Sequence, residues 1–240
     1  LWGTAFVYAI ASLVGFLRRL DVATNGIEAQ CAVIGNTGFL GVPMLTLLLG
    51  PEAIGPVLLA LTVDMIIFSS LIVILITGSR EGQLRLATLK IVGLGLLKNP
   101  MIVAITLGFL WSGFGIPIPV PLNEFLAILG GAATPGALFA IGASLASKSA
   151  ERIEIAGWLT FCKLVLHPLF VAFGALFLFG VDPYKAGVII ATASLPVAGN
   201  VYMLAQHYGV APQRVSAAIL VSTTVSIVTV SLVVGWVSAL

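Results

Sequence analysis

Two short stretches of this 240-residue chain combine residue types that seldom share an apolar run. Gly35-Asn36-Thr37-Gly38-Phe39-Leu40-Gly41-Val42-Pro43 and Ser194-Leu195-Pro196-Val197-Ala198-Gly199-Asn200-Val201-Tyr202 each place Pro, Gly and Asn where a plain membrane anchor would carry Leu or Ile. Pro removes a backbone donor and frees a carbonyl, and Gly eases unwinding. Asn36 and Asn200 add amides that both donate and accept, which suits recognition of a carboxylate. A half-helix starting at such a break adds unpaired N–H groups with partial positive charge, so an anion can be held there without a full cation beside it. Thr37, Pro43, Pro196 and Tyr202 flank the two amides and complete a candidate binding set. The alternative is that the amides only satisfy backbone freed by Pro43 and Pro196.

Three ionisable residues form a second candidate group. Asp64 lies ten residues past Ile54, about 15 Å along a helix at 1.5 Å per residue, and a carboxylate at that depth marks a place where a proton or Na⁺ could bind. The competing expectation is a neutral Asp64 bonded to a neighbouring hydroxyl such as Thr62 or Ser69. Lys163 and His167 stand four residues apart, on one face of a helix, and would form a polar stripe towards the first group. Otherwise Lys163 snorkels to the headgroups and His167 bonds a carbonyl freed by Pro168. Cys31 and Cys162 lack CxxC or Cys/His ligand spacing and read as small buried hydrophobes. Neither a metal site nor a cofactor is expected.

The elements that must hold these residues are membrane helices. Hydrophobic residues make up 60% of the chain and charged residues 8%, with a mean hydropathy of +1.17, whereas soluble domains carry about a quarter charged residues. A soluble enzyme is excluded. A net charge of +2, without a basic cluster interleaved with aromatics, also leaves no nucleic-acid partner to expect. Spans of about 20 apolar residues fall at roughly 1–17, 29–49, 54–77, 100–116, 123–146, 157–180, 185–207 and 214–238. Small and hydroxylated residues in the last span and in Gly130–Gly136 suit close helix packing, and Thr134-Pro135 could act as a hinge. The run begins at Leu1 with no basic leader and reads as the remainder of a longer chain.

The positive charges set the expected orientation. With strict alternation, one side collects Arg18, Arg19, Arg80, Arg85, Lys90, Lys98, Lys148, Arg152, Lys163 and Arg214, and the other has Lys185 alone. The 78–98 link is therefore expected in the cytoplasm, and the 50–53 turn, the Pro117–Pro121 turn and both termini outside. The link divides the chain into a first repeat at 1–77, two spans at 99–146 and three spans at 157–240. Trp2-x-Thr4 recurs as Trp158-x-Thr160, and Gly50 is matched by Gly209. Copies five spans apart run in opposite directions, so the expected fold is an all-α polytopic membrane protein with an inverted repeat and two broken crossover helices. Asp64 has Thr223 at its repeat-related position, so the halves differ there.

Asn36 within Gly-Asn-Thr-Gly-Phe-Leu-Gly-Val-Pro-Met-Leu, Lys98-Asn99-Pro100, and Leu195 to Gln206 resemble the auxin efflux carrier family, and the likeness covers nearly the whole chain. The resemblance implies ten spans in two inverted five-helix repeats, of which eight are present here and the first two are missing. It implies a complete transport domain, a scaffold reduced to spans 100–116 and 123–146, and a substrate pocket where the broken helices cross. The implied activity is secondary transport of a small organic anion, such as a dicarboxylate or an auxin-like acid, by alternating access in an elevator-like movement, and the sequence leaves H⁺ and Na⁺ both open as the coupling ion. A Na⁺-coupled symporter of the bile acid carrier type is the alternative. A remote one is an intramembrane serine protease built on Gly142-Ala143-Ser144 with His167 as base. The short link favours a bacterial inner membrane over a plant membrane. A homodimer is one assembly open to such a protein, and the sequence does not choose among assemblies.

Overall fold

A computed structural model describes residues 1–81, 93–94, 97, 100–146 and 153–238. Most of the link, including Arg85, Lys90 and Lys98-Asn99, lies outside the described residues, as do Lys148, Arg152 and the side chains of Thr134 and Ser144. The described chain is helical, and its one β-type contact is an isolated antiparallel bridge between Gly35 and Val197.

Helices α1 (Trp2–Leu17) and α2 (Val22–Val33) are followed by a π turn (Thr37–Gly41) and by α3 (Val42–Leu49). A 3₁₀ turn (Pro51–Ala53), α4 (Ile54–Val63), a π turn (Asp64–Phe68) and α5 (Ser69–Glu81) then run on as one long apolar helix over Pro51–Arg80. Next come α6 (Pro100–Gly113) and α7 (Val120–Ala146). A second long helix, Ile153–Leu178, is assembled from α8 (Ile153–Phe161), a π turn (Cys162–Leu166), α9 (His167–Phe173) and a π turn (Gly174–Leu178). The chain ends with α10 (Pro183–Ala193), α11 (Gly199–Tyr208) and the long α12 (Pro212–Val237). Two of the expected spans are thus broken pairs, α2/α3 and α10/α11, separated by non-helical backbone at mid-length.

Local chemistry explains the ends. The Asp21 side chain caps α2 by accepting the Thr24 N–H at 2.9 Å, and Asp182 caps α10 by accepting the Lys185 N–H at 3.1 Å. Gly50 after α3 and Gly209 after α11 both have positive φ, 93° and 64°, a conformation with little cost only for glycine. The two glycines therefore do the same job, each letting the chain turn back at the end of a half-helix.

The sequence places the start of the second span at 29, but its helix begins at Val22. Thr24, Asn25 and Glu28 look like loop residues, yet Glu28 is 2% exposed. Its Oε2 accepts from Arg18 at 2.6 Å and its Oε1 from Arg214, at the N-terminal end of α12. Two arginines from other helices make a carboxylate tolerable inside the bundle, where an isolated one would be too costly.

Two cores lie on either side of the breaks. One joins α1, α2, α5, α8, α11 and α12 around Ile27, Val33, Ile72, Leu159 and Val215 at the arginine-bearing end. The other joins α3, α4, α10 and α12 around Leu45, Val57, Ile190 and Val234. Close approach of α1 to α9 needs Gly3, where an added β-carbon would lie 2.8 Å from the Val171 backbone nitrogen.

Candidate functional site

Both breaks expose backbone that a helix would have paired, and each supplies what the other lacks. The Asn36 N–H donates to the Pro196 carbonyl at 2.8 Å, and the Ala198 N–H donates to the Ile34 carbonyl at 3.0 Å. Pro196 has no N–H, so its segment cannot continue as a helix, and the residue before a proline is pushed out of the helical region. A further donor at the crossing, the Val197 N–H, is taken by Ser222 Oγ of α12 at 3.1 Å. Ser222 in turn donates to the Ile219 carbonyl at 3.2 Å. Two interrupted helices thus cross through a two-bond bridge braced by α12, an arrangement allowed at membrane depth because protein surrounds it.

The packing around Gly35 is close. A β-carbon on Gly35 would lie 3.3 Å from Lys163 Cε, 3.4 Å from its Nζ and 3.4 Å from Leu195 Cβ. Past the first break, Gly41 N–H reaches back to the Asn36 carbonyl at 3.0 Å, which closes the π turn containing Thr37. Pro43 stands in the first turn of α3, which continues from this π turn, and its missing N–H leaves a carbonyl of the turn without its helical partner.

A cavity of about 530 Å³ opens beside the crossover, towards the arginine-bearing end. Asn36 and Asn200 both line it, with Met65, Ser69 and Met203 among its walls and His207 further along α11. None of its described lining residues is Lys, Arg, Asp or Glu. Asn36 is buried, and Asn200 Oδ1 is buried without a hydrogen-bond partner among the described residues. Thr37 is buried with its hydroxyl likewise unpartnered, but it does not line this cavity, nor do Pro43, Pro196 or Tyr202. Tyr202 packs against the core at the arginine-bearing end. The Pro196 carbonyl is satisfied by the Asn36 backbone, so the Asn36 amide is not needed for that task.

On the opposite side of Gly35 lies a smaller cavity of about 220 Å³, lined by Asp64, His167, Thr4, Thr192 and Gly35 itself. Here the expected stripe exists in a different form. Lys163 is fully buried and does not reach the headgroups: Nζ donates to the Ala193 carbonyl at 2.5 Å and to His167 Nδ1 at 3.1 Å. With Nδ1 accepting, the ring proton belongs on Nε2, which donates to Thr4 Oγ1 at 3.0 Å. His167 therefore does not serve the backbone freed by Pro168. Ala193 is the last residue of α10, so the ammonium sits on the carbonyl-bearing end of that half-helix, the end that favours a cation. Asp64 lies within Coulombic reach of Lys163. Its carboxylate is not held by the neighbours expected: Thr62 donates to the Leu58 carbonyl at 2.7 Å and Ser69 contacts the Asp64 carbonyl at 3.4 Å.

Thr37, Asp64 and Lys163 each stand on a π turn. Such turns leave carbonyls without their usual partners and are frequent at functional sites. Gln30 answers one of these, donating from Nε2 to the Phe68 carbonyl at 2.8 Å. Sequence reading named Thr4 only as part of the repeat, did not single out Glu28, Gln30 or Thr192, and assigned Ser222 to packing. Buried Glu28 and Gln30 inside an apolar run were the available signal.

The family model for a membrane transport protein matches residues 1–234. The chain belongs to this family, that of the auxin efflux carriers. A protein of Rhizobium meliloti (strain 1021), named "Putative malonate transporter", is 34% identical over 238 residues, covering 95% of this chain and 73% of its own length. The chain is an all-α integral membrane protein and a transporter rather than an enzyme. In a family of transporters, two broken helices bridged at mid-depth are the part of the fold where backbone polar groups are available to a solute.

Proposed function

We propose that the protein is a secondary carrier for a small organic anion of the dicarboxylate class, with malonate as the first candidate. The observation that carries this reading is the cavity at the crossover, into which Asn36 and Asn200 project from the two broken helices. The amides, the free N–H groups at the start of α11 and the lack of acidic lining suit a carboxylate. The relative from Rhizobium meliloti supports the choice of malonate. Alternating access follows from the inverted repeat, the three helices at each end of the chain moving against α6 and α7 as the scaffold. A proton is the proposed coupling ion, taken up in the second cavity by Asp64 and His167 beside Lys163. The protein belongs in the inner membrane of a bacterium, with the 78–98 link in the cytoplasm.

The test is binding of malonate, malate, succinate and indole acetate to the purified protein, comparing wild type with Asn36→Ala and Asn200→Ala. Saturable binding of one acid, weakened on the order of tenfold or more in each variant, is expected, because each removes a hydrogen-bonding partner of a charged ligand. Binding unchanged in both variants would make the amides structural and overturn this site. Uptake driven by a pH gradient and made insensitive to it by Asp64→Asn is expected for proton coupling. A requirement for sodium would replace that ion.

A further inference from the structure

An anion at the crossover would lie deep in the membrane, in a cavity whose described lining contains no lysine or arginine, its one titratable side chain being His207. Backbone dipoles and two amides solvate a carboxylate but do not neutralise it. The nearest buried cation is Lys163, the largest wholly buried side chain among the described residues. It is separated from the cavity by Gly35, which lines both this cavity and the smaller one behind it. Nζ lies 3.4 Å from where a Gly35 β-carbon would be, so the charge is one residue's thickness from the crossover and next to Asn36.

Capping alone does not require a lysine here. A neutral donor of similar reach, such as glutamine, would cap the end of α10 at lower cost, since burying an ammonium among apolar helices is expensive even with two acceptors. An ammonium held in place by Ala193 and His167, and kept from the cavity by glycine backbone, is fixed in position and out of contact with the solute. A solute that touched it directly would pair with it and be slow to leave.

We propose that Lys163, with its neighbour Asp64 protonated, supplies the compensating charge for the bound anion, acting across the Gly35 backbone and setting a preference for doubly over singly charged acids. Lys163 is thus a specificity-determining residue that never touches substrate. The proposal rests on the crossover being the anion site. It goes further in naming which charge state that site selects and which residue selects it. Charges separated by a few ångströms of protein interact strongly enough to change affinity on the order of tenfold per unit of charge.

The experiment measures the affinities of malonate and of its monoamide, malonamate, for the purified protein in lipid nanodiscs, at neutral pH, where they carry two charges and one. Lys163→Gln keeps a donor for the Ala193 carbonyl and loses the charge, and Lys163→Arg keeps the charge. Lys163→Gln is expected to weaken malonate on the order of tenfold more than malonamate, and Lys163→Arg to preserve the wild-type ratio. If Lys163→Gln does not fold, Lys163→Met takes its place, because it fills the same apolar space without the charge, and the same selective loss is expected. Equal weakening of both acids would assign Lys163 to packing and overturn the proposal. Loss of malonate binding in Asn36→Ala with an unchanged ratio in Lys163→Gln would overturn it while leaving the crossover site standing. Absence of binding of either acid to wild type would sink the site and this inference together.

Discussion

Arg214 and Glu28 stand 186 positions apart and form an ion pair that joins the last helix to the second. Arg18 approaches the same carboxylate from the end of α1. One buried acid therefore fastens helices from both ends of the chain at the arginine-bearing end.

The two arginines should not contribute equally. The Arg214 side chain is 17% exposed and Arg18 is 32% exposed, against 3% for Glu28. Removing the more enclosed partner leaves a buried carboxylate poorly compensated, whereas a half-solvated pair is worth little. Arg214→Ala is expected to cost about 3 kcal/mol and Arg18→Ala about 1 kcal/mol, read from unfolding in detergent. A larger loss in Arg18→Ala would contradict the packing described.

Ser222→Ala tests the brace behind the crossing. It removes the acceptor of the Val197 N–H, and an unpaired buried donor costs about 1–3 kcal/mol. A lower unfolding temperature and weaker anion binding should appear together, because Val197 is the bridge partner of Gly35. Ser222→Thr, which keeps a hydroxyl, should recover part of both. Normal binding in Ser222→Ala would mean that the bridge holds its shape without α12.

Two glycines in neighbouring helices should respond in opposite ways. A β-carbon at Gly3 meets the Val171 backbone at 2.8 Å, and at Gly157 it meets nothing within 4 Å. Gly3→Ala must force α1 and α9 apart and is expected to destabilise by about 1–3 kcal/mol. Gly157→Ala should be neutral or stabilising by up to about 1 kcal/mol through helix propensity. Thermal unfolding of the two variants side by side decides the point.

At the surface turn before α2, the backbone N–H of Thr24 holds the Asp21 carboxyl below its usual range. A depressed acid stabilises the fold above its unfolded value and loses that contribution as the pH falls through its folded value. Asp21→Ala is therefore expected to cost about 1 kcal/mol near neutral pH. The difference from wild type should shrink on acidification below about pH 4, the ordinary carboxylate range. A difference that grew on acidification would mean that the cap is not an ionised carboxylate.

Composition alone placed this chain in the bilayer, because 60% hydrophobic residues cannot be buried in water by a chain of this size. The breaks at Gly35 to Pro43 and at Pro196 to Asn200 were equally legible, since Pro and Gly act on their own backbone and need no partner to do so. The motifs around them were enough for the family. Tertiary structure decided what lay across space: the pairing of Gly35 with Val197, the enclosure of Lys163 against Ala193 and His167, and the fate of Glu28. A charged residue in an apolar run reads as a loop or a snorkel when its partners are unknown, and those partners lie on other helices. Hydropathy is a property of each residue in turn, whereas the cost of a buried charge depends on which groups the fold brings to meet it.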